Sequence, residues 1–574
     1  MDILLGHEVN SGRDLWLDSE ELSTHLHMVG ATGTGKSTAI ITLLRSLMLR
    51  THAEKSCIFL IDPMGGLSRD MLNLMAHPRF STDAVRDRLV YIEPSNEEVV
   101  TPLNPLLHTS EGTRHYQVVR SIELVLRGFD AQDLRTQPRL YRWLFNAFYS
   151  AAEIGIPISL CRFILQPGTP EHAAIIRRIH PELRYEWEQV LGSSRASLDQ
   201  LDSTRNRLQP FFKSPNLRRM FGCARSRFDV EHFIRNRKIV ILNLAKRGRL
   251  TGPDGQTIGA LALNEIFETA YRLATTEGPQ VVNPTYVVID EFQKFVGPDL
   301  VDTIPTSRQI GLRCVLAHQS YSQLEKAECD LTDLIGQART RLVFNNSGPD
   351  ADIVAEEIAK HVYDPRAVQD KRYTVRQLIT GYRKEWLDNH STGTSSNRGN
   401  SASRTENVND NKSWLPKFGA DGDGNRVSQG QSTTQGLSDS QNEGRSQANV
   451  PIHKTFRELV GITYRDLNAQ IADFYKQIRL LKTGQAYLKR RDAADIPLIQ
   501  IDAVPIEETP QLRTNVEEMK ARNLESEFFI SAAEADREQD DIMKRLLHDQ
   551  TAIPQSLDGS SRSASPSSPS AFEL

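Results

Sequence analysis

Short apolar runs rich in β-branched residues recur along this chain: HLHMVG (25–30), CIFLID (57–62), LVYIEP (89–94), IVILNL (239–244), TYVVID (285–290), CVLAHQ (314–319) and RLVFNN (341–346). Each is bounded by polar or turn residues. A run that is apolar at nearly every position, rather than at every second one, suits a strand covered on both faces, and such strands belong to parallel sheets. Helical patterns lie between them, as in STAIITLLRSLMLR (37–50) and IGALALNEIFETAYRLA (258–274). Strands alternating with helices predict an α/β fold, a mostly parallel sheet between layers of helix.

The alternation is interrupted twice. Residues 112–235 carry amphipathic patterns such as RHYQVVRSIELVLRGF (114–129) and no convincing strand, so an inserted helical subdomain is expected there. Residues 390–450 are rich in Ser, Asn, Gly, Gln and Asp and nearly free of aliphatics. That composition offers too little apolar surface to offset its ordering entropy and reads as a disordered linker. The expected order is then 1–111, first part of the core; 112–235, helical subdomain; 236–389, second part of the core; 390–450, linker; 451–504, return of the core; 505–574, a charged helical stretch and a disordered tail.

Residues 30–37 read GATGTGKS between the first apolar run and a helical pattern, which is the context a phosphate-binding loop requires. Gly30, Gly33 and Gly35 let the backbone curl so that the N–H groups along Ala31, Thr32, Gly33 and Thr34 turn inward toward phosphate oxygens. The helix that starts near Lys36 adds its partial positive charge. Lys36 is the candidate for the β- and γ-phosphates, Ser37 for Mg²⁺ and Thr38 for the α-phosphate. ATP and Mg²⁺ are the cofactors this pattern calls for.

TYVVIDEF ends a buried strand on two acids. Asp290 is the candidate for the Mg²⁺ shell and Glu291 for the base that activates water, since a carboxylate suits a nucleophile beside a metal and an anionic phosphate. Gln319, at the end of the next apolar strand, is placed to sense the γ-phosphate. Arg339 and Arg341 flank another strand, and either could serve as a finger in a neighbour's site. Asp62-Pro63 and Asn104-Pro105-Leu106 read as structural turns, and His25 and His27 as structural residues.

Lys+Arg 69 against Asp+Glu 73 leaves a net charge of −4, which excludes a basic coat for nucleic acid but not a local strip or a lined pore. Lys246, Arg247 and Arg249 in a glycine-containing loop, with Arg205, Arg207 and Lys213 in the helical subdomain, are the candidate DNA contacts. The five cysteines form no CxxC pair, which suits a reducing cytoplasm. Neither a signal peptide nor an apolar run of membrane-spanning length is visible, so a cytoplasmic chain without direct membrane insertion is expected.

Taken together these residues resemble the FtsK–HerA superfamily of ring ATPases, most closely the branch holding HerA-like DNA translocases and the conjugative coupling proteins of the TraG–TraD kind. The supporting segments are THLHMVGATGTGKST (24–38), FLIDP (59–63), NPL (104–106), IVILNLAKRG (239–248), YVVIDEFQKF (286–295), IGLRCVLAHQSYSQL (310–324) and LKTGQAYLKR (481–490). They span about residues 1–380 and 450–500. The resemblance implies a RecA-like motor core, a hexameric ring and an all-helical domain where 112–235 lies. It places an arginine near Phe344, where this chain has Asn345. The implied function is an ATP-driven ring motor on DNA, in mobile-element transfer, DNA processing or phage defence with a partner nuclease or other effector, or with relaxase and secretion machinery. A hexameric regulatory scaffold controlling a partner enzyme, and a secretion ATPase moving protein, share the same motifs.

Overall fold

The computed structural model describes residues 3–50, 55–107, 110–127, 138–191, 195–325, 331–393, 440–491 and 493–548. They fall into two units, one of which is Pro365–Arg465, set within the chain of the other.

In the larger unit seven parallel strands form one side of an eleven-stranded sheet, out to its edge. Across the sheet they run Thr340–Val343, Leu26–Val29, Leu312–His318, Thr285–Asp290, Cys57–Asp62, Ile239–Asn243 and Leu89–Ile92. Gln485–Lys489 joins antiparallel beside the first of these, and Leu498–Ile501, Ile3–Glu8 and Asp14–Leu17 extend the sheet from there. The fold class predicted by the alternation is the one observed.

The apolar runs lack alternation because both faces are covered. Cys57, Phe59 and Ile61 pack into one hydrophobic layer while Ile58 and Leu60 pack into the other. Val287 and Ile289 part from Tyr286 and Val288 in the same way.

Helices fill the interval between the strands at 89–92 and 239–243, among them Glu111–Arg127, Pro138–Glu153, Pro181–Leu191 and Arg195–Lys213. Trp187 is fully buried among them, its indole N–H donating to Ser150 Oγ at 3.1 Å. Among the described residues no single helix is long and apolar enough to cross a membrane.

The charged stretch after residue 505 does more than trail from the core. It forms helices Pro510–Leu524 and Ala532–Leu547. The Asn523 side chain accepts from the Tyr91 N–H and donates to the Tyr91 carbonyl, both at 3.0 Å. It thereby satisfies the backbone of an outermost strand that would otherwise present an open edge. Asp536 binds Arg219 through both carboxylate oxygens, at 2.8 Å in the shortest contact, and so ties the last helix to the helical insertion. Residues 549–574 lie outside the described residues.

The smaller unit corrects the expected boundaries. Strands Val368–Gly393 and Ser440–Tyr464 pair antiparallel as a long ribbon, with Tyr373 opposite Leu459 and Trp386 opposite Gln447. The stretch 368–389 therefore does not extend the core, 440–450 is strand rather than linker, and the core resumes at Asp466. The remainder of the expected linker, 394–439, lies outside the described residues. The apolar residues of TVRQLITGYRKEW stand at 375, 378, 379, 382 and 386, without the period of two that would mark a strand. Tyr373, Tyr382 and Trp386 are each more than half exposed.

His25 stands just before the strand Leu26–Val29 with φ of 66° and is buried. Its Nδ1 accepts from the Cys314 N–H at 3.1 Å. Burial pushes its pKa down to about 4. Between about pH 4 and 6.5 the unfolded chain holds a proton there and the folded chain does not, so stability falls as the pH falls. His25 alone is expected to remove about 2 kcal/mol between pH 7 and pH 5. His25→Asn keeps an acceptor, tolerates positive φ and cannot titrate. It should flatten the acid side of a melting-temperature profile, and an unchanged profile would refute the assignment.

Candidate nucleotide-binding site

The turn from Gly30 to Gly35 joins the strand Leu26–Val29 to the helix Lys36–Met48. Gly33 and Gly35 have φ of 78° and 115°, a region that glycine adopts without strain. A methyl group on Gly35 would lie 2.8 Å from the Gly484 backbone. The Gly484 N–H donates to the Thr34 carbonyl at 2.8 Å, so the closing segment braces the loop from behind. The helix starts at Gly35 without a side-chain cap, which leaves its first-turn N–H groups to an anion. Ser37 is exposed on that first turn and Thr38 is half-buried.

Lys36 is buried, and its ammonium donates to the carbonyls of Gly30 and Ala31. Burial lowers its pKa, while the charges of Glu291 and Asp290 work the other way. The lysine and the acidic pair thus share one electrostatic site, although Lys36 and Asp290 are 254 positions apart in the chain. Asp290 ends its strand with a carboxyl group pushed up to about 6, chiefly by burial and then by Glu291 and Asp62, against the pull of Lys36.

Glu291 follows at φ 50° and ψ 49°, 3% exposed. Such a backbone costs a non-glycine residue about 1–3 kcal/mol and concentrates at functional sites. The turn that follows, Phe292–Lys294, folds Gln293 back so that its amide Nε2 donates to Glu291 Oε2 at 2.7 Å and to Gln323 Oε1 at 3.0 Å.

Gln319 reaches the P-loop, its Oε1 accepting from Thr32 Oγ1 at 3.1 Å. Just before it, His318 and His27 meet through Nε2 atoms 2.8 Å apart. His318 Nδ1 lies 3.1 Å from the Ser320 carbonyl and so carries a proton in the neutral ring. Its Nε2 then accepts from His27. Burial holds both rings neutral, with the pKa of His318 lowered to about 4 and that of His27 well below its ordinary value. The pair ties the P-loop strand to the strand that carries Gln319.

The other candidates stand apart from this centre. The Arg341 guanidinium is buried inside its own chain, bonded to Glu357 and to the carbonyls of Ile335 and Ala338. Lys489 completes the group with a 2.8 Å bond to Glu357. A side chain so enclosed does not extend to a neighbouring subunit, which corrects the expectation for Arg341 and leaves Arg339, whose side chain is exposed. Asn345 donates to the carbonyls of Arg479 and Leu481.

Asp62 accepts from the N–H groups of Met64, Gly65 and Ser68 at 2.9, 2.8 and 2.7 Å, so it holds a turn. Asn104 holds another, donating to the Ala224 carbonyl and accepting from the Leu106 N–H. In the basic loop Arg247 pairs with Glu93 at 2.6 Å and Arg249 with Glu97 at 3.2 Å, while Lys246 is exposed. Arg205 pairs with Asp202, Arg207 donates to Ser203, and Lys213 is exposed on the same helix.

Sequence reasoning passed over Gln293, Gln323, His318 and the bracing role of Gly484. The first two lie two and four residues beyond the motif positions Glu291 and Gln319, which was the available signal.

The FtsK/SpoIIIE family profile matches residues 1–84, covering the P-loop and the strands about it. This segment is similar to the FtsK/HerA-like P-loop ATPases. A second profile, for the TraM recognition site of TraD and TraG, matches residues 284–410. Among curated proteins, the chain is 35% identical over 71 residues to the ESX-1 secretion system protein EccCa1 of Mycobacterium tuberculosis, over 12% of its length. The match spans about a tenth of that relative's length. Among solved structures, the plasmid coupling protein TrwB in complex with ADP and Mg²⁺ is similar over 89% of this chain and 97% of its own, at 14% identity and a TM-score of 0.47. VirB4 of Thermoanaerobacter pseudethanolicus is similar over 62% of this chain and 86% of its own, at 15% identity and a TM-score of 0.38.

Proposed function

We propose that this chain is an ATP-hydrolysing ring motor that translocates or remodels DNA, in mobile-element transfer, DNA processing or defence with a partner effector. The observation that carries the chemistry is the shared site of Lys36, Asp290 and Glu291, closed on one side by Gln319 against Thr32. Clustered carboxylates beside a lysine and a glycine-lined helix start fit a nucleotide phosphate with a divalent cation. Mg²⁺ bound there would neutralise charge on the phosphates.

Each residue then has a task. Lys36 holds the β- and γ-phosphates, with N–H groups of residues 31–38 around them and the Thr38 hydroxyl at the α-phosphate. Ser37 and Asp290 are the Mg²⁺ ligands. Glu291 takes the proton of the attacking water, and Gln319 senses the γ-phosphate through its contact with the P-loop. The DNA reading draws on the likeness to a coupling protein and to the FtsK/SpoIIIE profile, and the contacts proposed for it are the basic residues named above. The match to a secretion system protein favours a second reading, with protein as the moved polymer.

A ring completes each site with a neighbour's residue, and Arg339 is the proposed finger. A finger contributes on the order of a thousandfold or more in rate. Mixing a Lys36→Ala chain with an Arg339→Ala chain should therefore restore turnover that neither shows alone. Mixed rings, verified by mass, that stay inactive would exclude Arg339.

A further inference from the structure

We propose that Gln293 is a positioning residue: it fixes the carboxylate of Glu291 and couples it to the segment that follows Gln319. The inference rests on the reading of Glu291 as the hydrolytic base. Both amide hydrogens of Gln293 are engaged, one by Glu291 and the other by Gln323. The carboxylate only accepts, so the nitrogen and not the oxygen of this amide must face it. Its Oε1 is consequently buried with no partner among the described residues. A buried carbonyl left unpaired is unfavourable, and an apolar side chain of similar size would fill the space without it. The arrangement suits a group selected for what its nitrogen holds.

The second bond gives the arrangement direction. Gln323 lies on the short helix Tyr321–Glu325, four residues beyond Gln319. Gln319 accepts from Thr32 of the P-loop, and the intervening Ser320 carbonyl is held by His318. A circuit therefore runs from the P-loop through Gln319 and the turn to Gln323, and through the Gln293 amide to Glu291. Movement of Gln319 at the γ-phosphate reaches the base along it. The backbone of Glu291 is strained, so its carboxylate depends on outside support for its direction.

The experiment uses the full chain, with steady-state ATP turnover and binding of a slowly hydrolysed ATP analogue. Gln293→Met keeps the volume and removes the donor. Its kcat is expected to fall on the order of tenfold to a hundredfold, because a misdirected base loses rate without loss of binding. The KM and the analogue affinity should stay within about twofold, since Lys36 and the loop are unchanged. Gln323→Ala should lower kcat in the same way, and the double variant should fall no further than the worse single one.

A Gln293→Met enzyme with wild-type kcat, beside an inactive Glu291→Gln, would overturn the proposal and leave the base reading intact. A fully active Glu291→Gln would instead remove the base reading. Parallel losses of kcat, analogue affinity and melting temperature would mark a merely structural role and also overturn the proposal. Additive losses in the double variant would overturn the coupling.

Discussion

Lys36→Ala is expected to abolish nucleotide binding, while Glu291→Gln binds ATP as well as the unaltered chain and fails to turn it over. The two outcomes separate because the two residues act at different steps. Lys36 brings a buried positive charge to the loop, held by the Gly30 and Ala31 carbonyls and supported by Glu291 and Asp290. Removing it takes away the positive charge proposed to hold the β- and γ-phosphates. Glu291→Gln preserves shape and burial but cannot take a proton. General-base loss of this kind lowers rate by about 10²–10⁴-fold. Equilibrium binding of a fluorescent nucleotide and release of inorganic phosphate measure the two quantities independently. Near wild-type turnover in Glu291→Gln would remove that residue from the chemistry.

Legibility in the sequence followed the range of the interactions. The P-loop and the acidic pair are local patterns, complete within a few residues, and the sheet announced itself because strands covered on both faces are apolar throughout. The insertion, too, was visible as a change of period. What escaped were contacts made at long range. Nothing near Arg341 reveals that Glu357 and Lys489 will enclose it. Nothing near Gly484 shows that it will lie against Gly35.

The ribbon was missed for a different reason. Its apolar residues are not spaced by two and stand among Arg, Lys and Glu on exposed strands, so the sequence assigns 368–389 and 451–464 to the core and, by composition, 390–450 to a linker. In the last helices the charge pattern showed helix, but not that Asn523 would satisfy the backbone at the sheet edge.

Hydrolysis is expected to be coupled to DNA. A chain of net charge −4 has no general attraction for a polyanion, so contact must be confined to basic patches. The loop holding Lys246, Arg247 and Arg249 follows the strand Ile239–Asn243, one strand removed from the strand that ends at Asp290. Arg249 and Glu97 form an exposed pair, weak enough to exchange for a phosphate, while Arg247 is tied to Glu93, whose side chain is largely covered. Contacts of this type are tolerant of sequence and weaken steeply with salt. Neutralising Lys246 and Arg247 together should lower the DNA-dependent part of turnover more than the basal part.

The deciding measurement is ATP turnover by a preparation shown by mass to be hexameric, at low salt, with and without single- and double-stranded DNA. The account predicts that DNA raises the rate and that added salt removes the increase. A rate indifferent to both forms of DNA would contradict it, and an ATP-dependent scaffold for a partner enzyme would then be the better description.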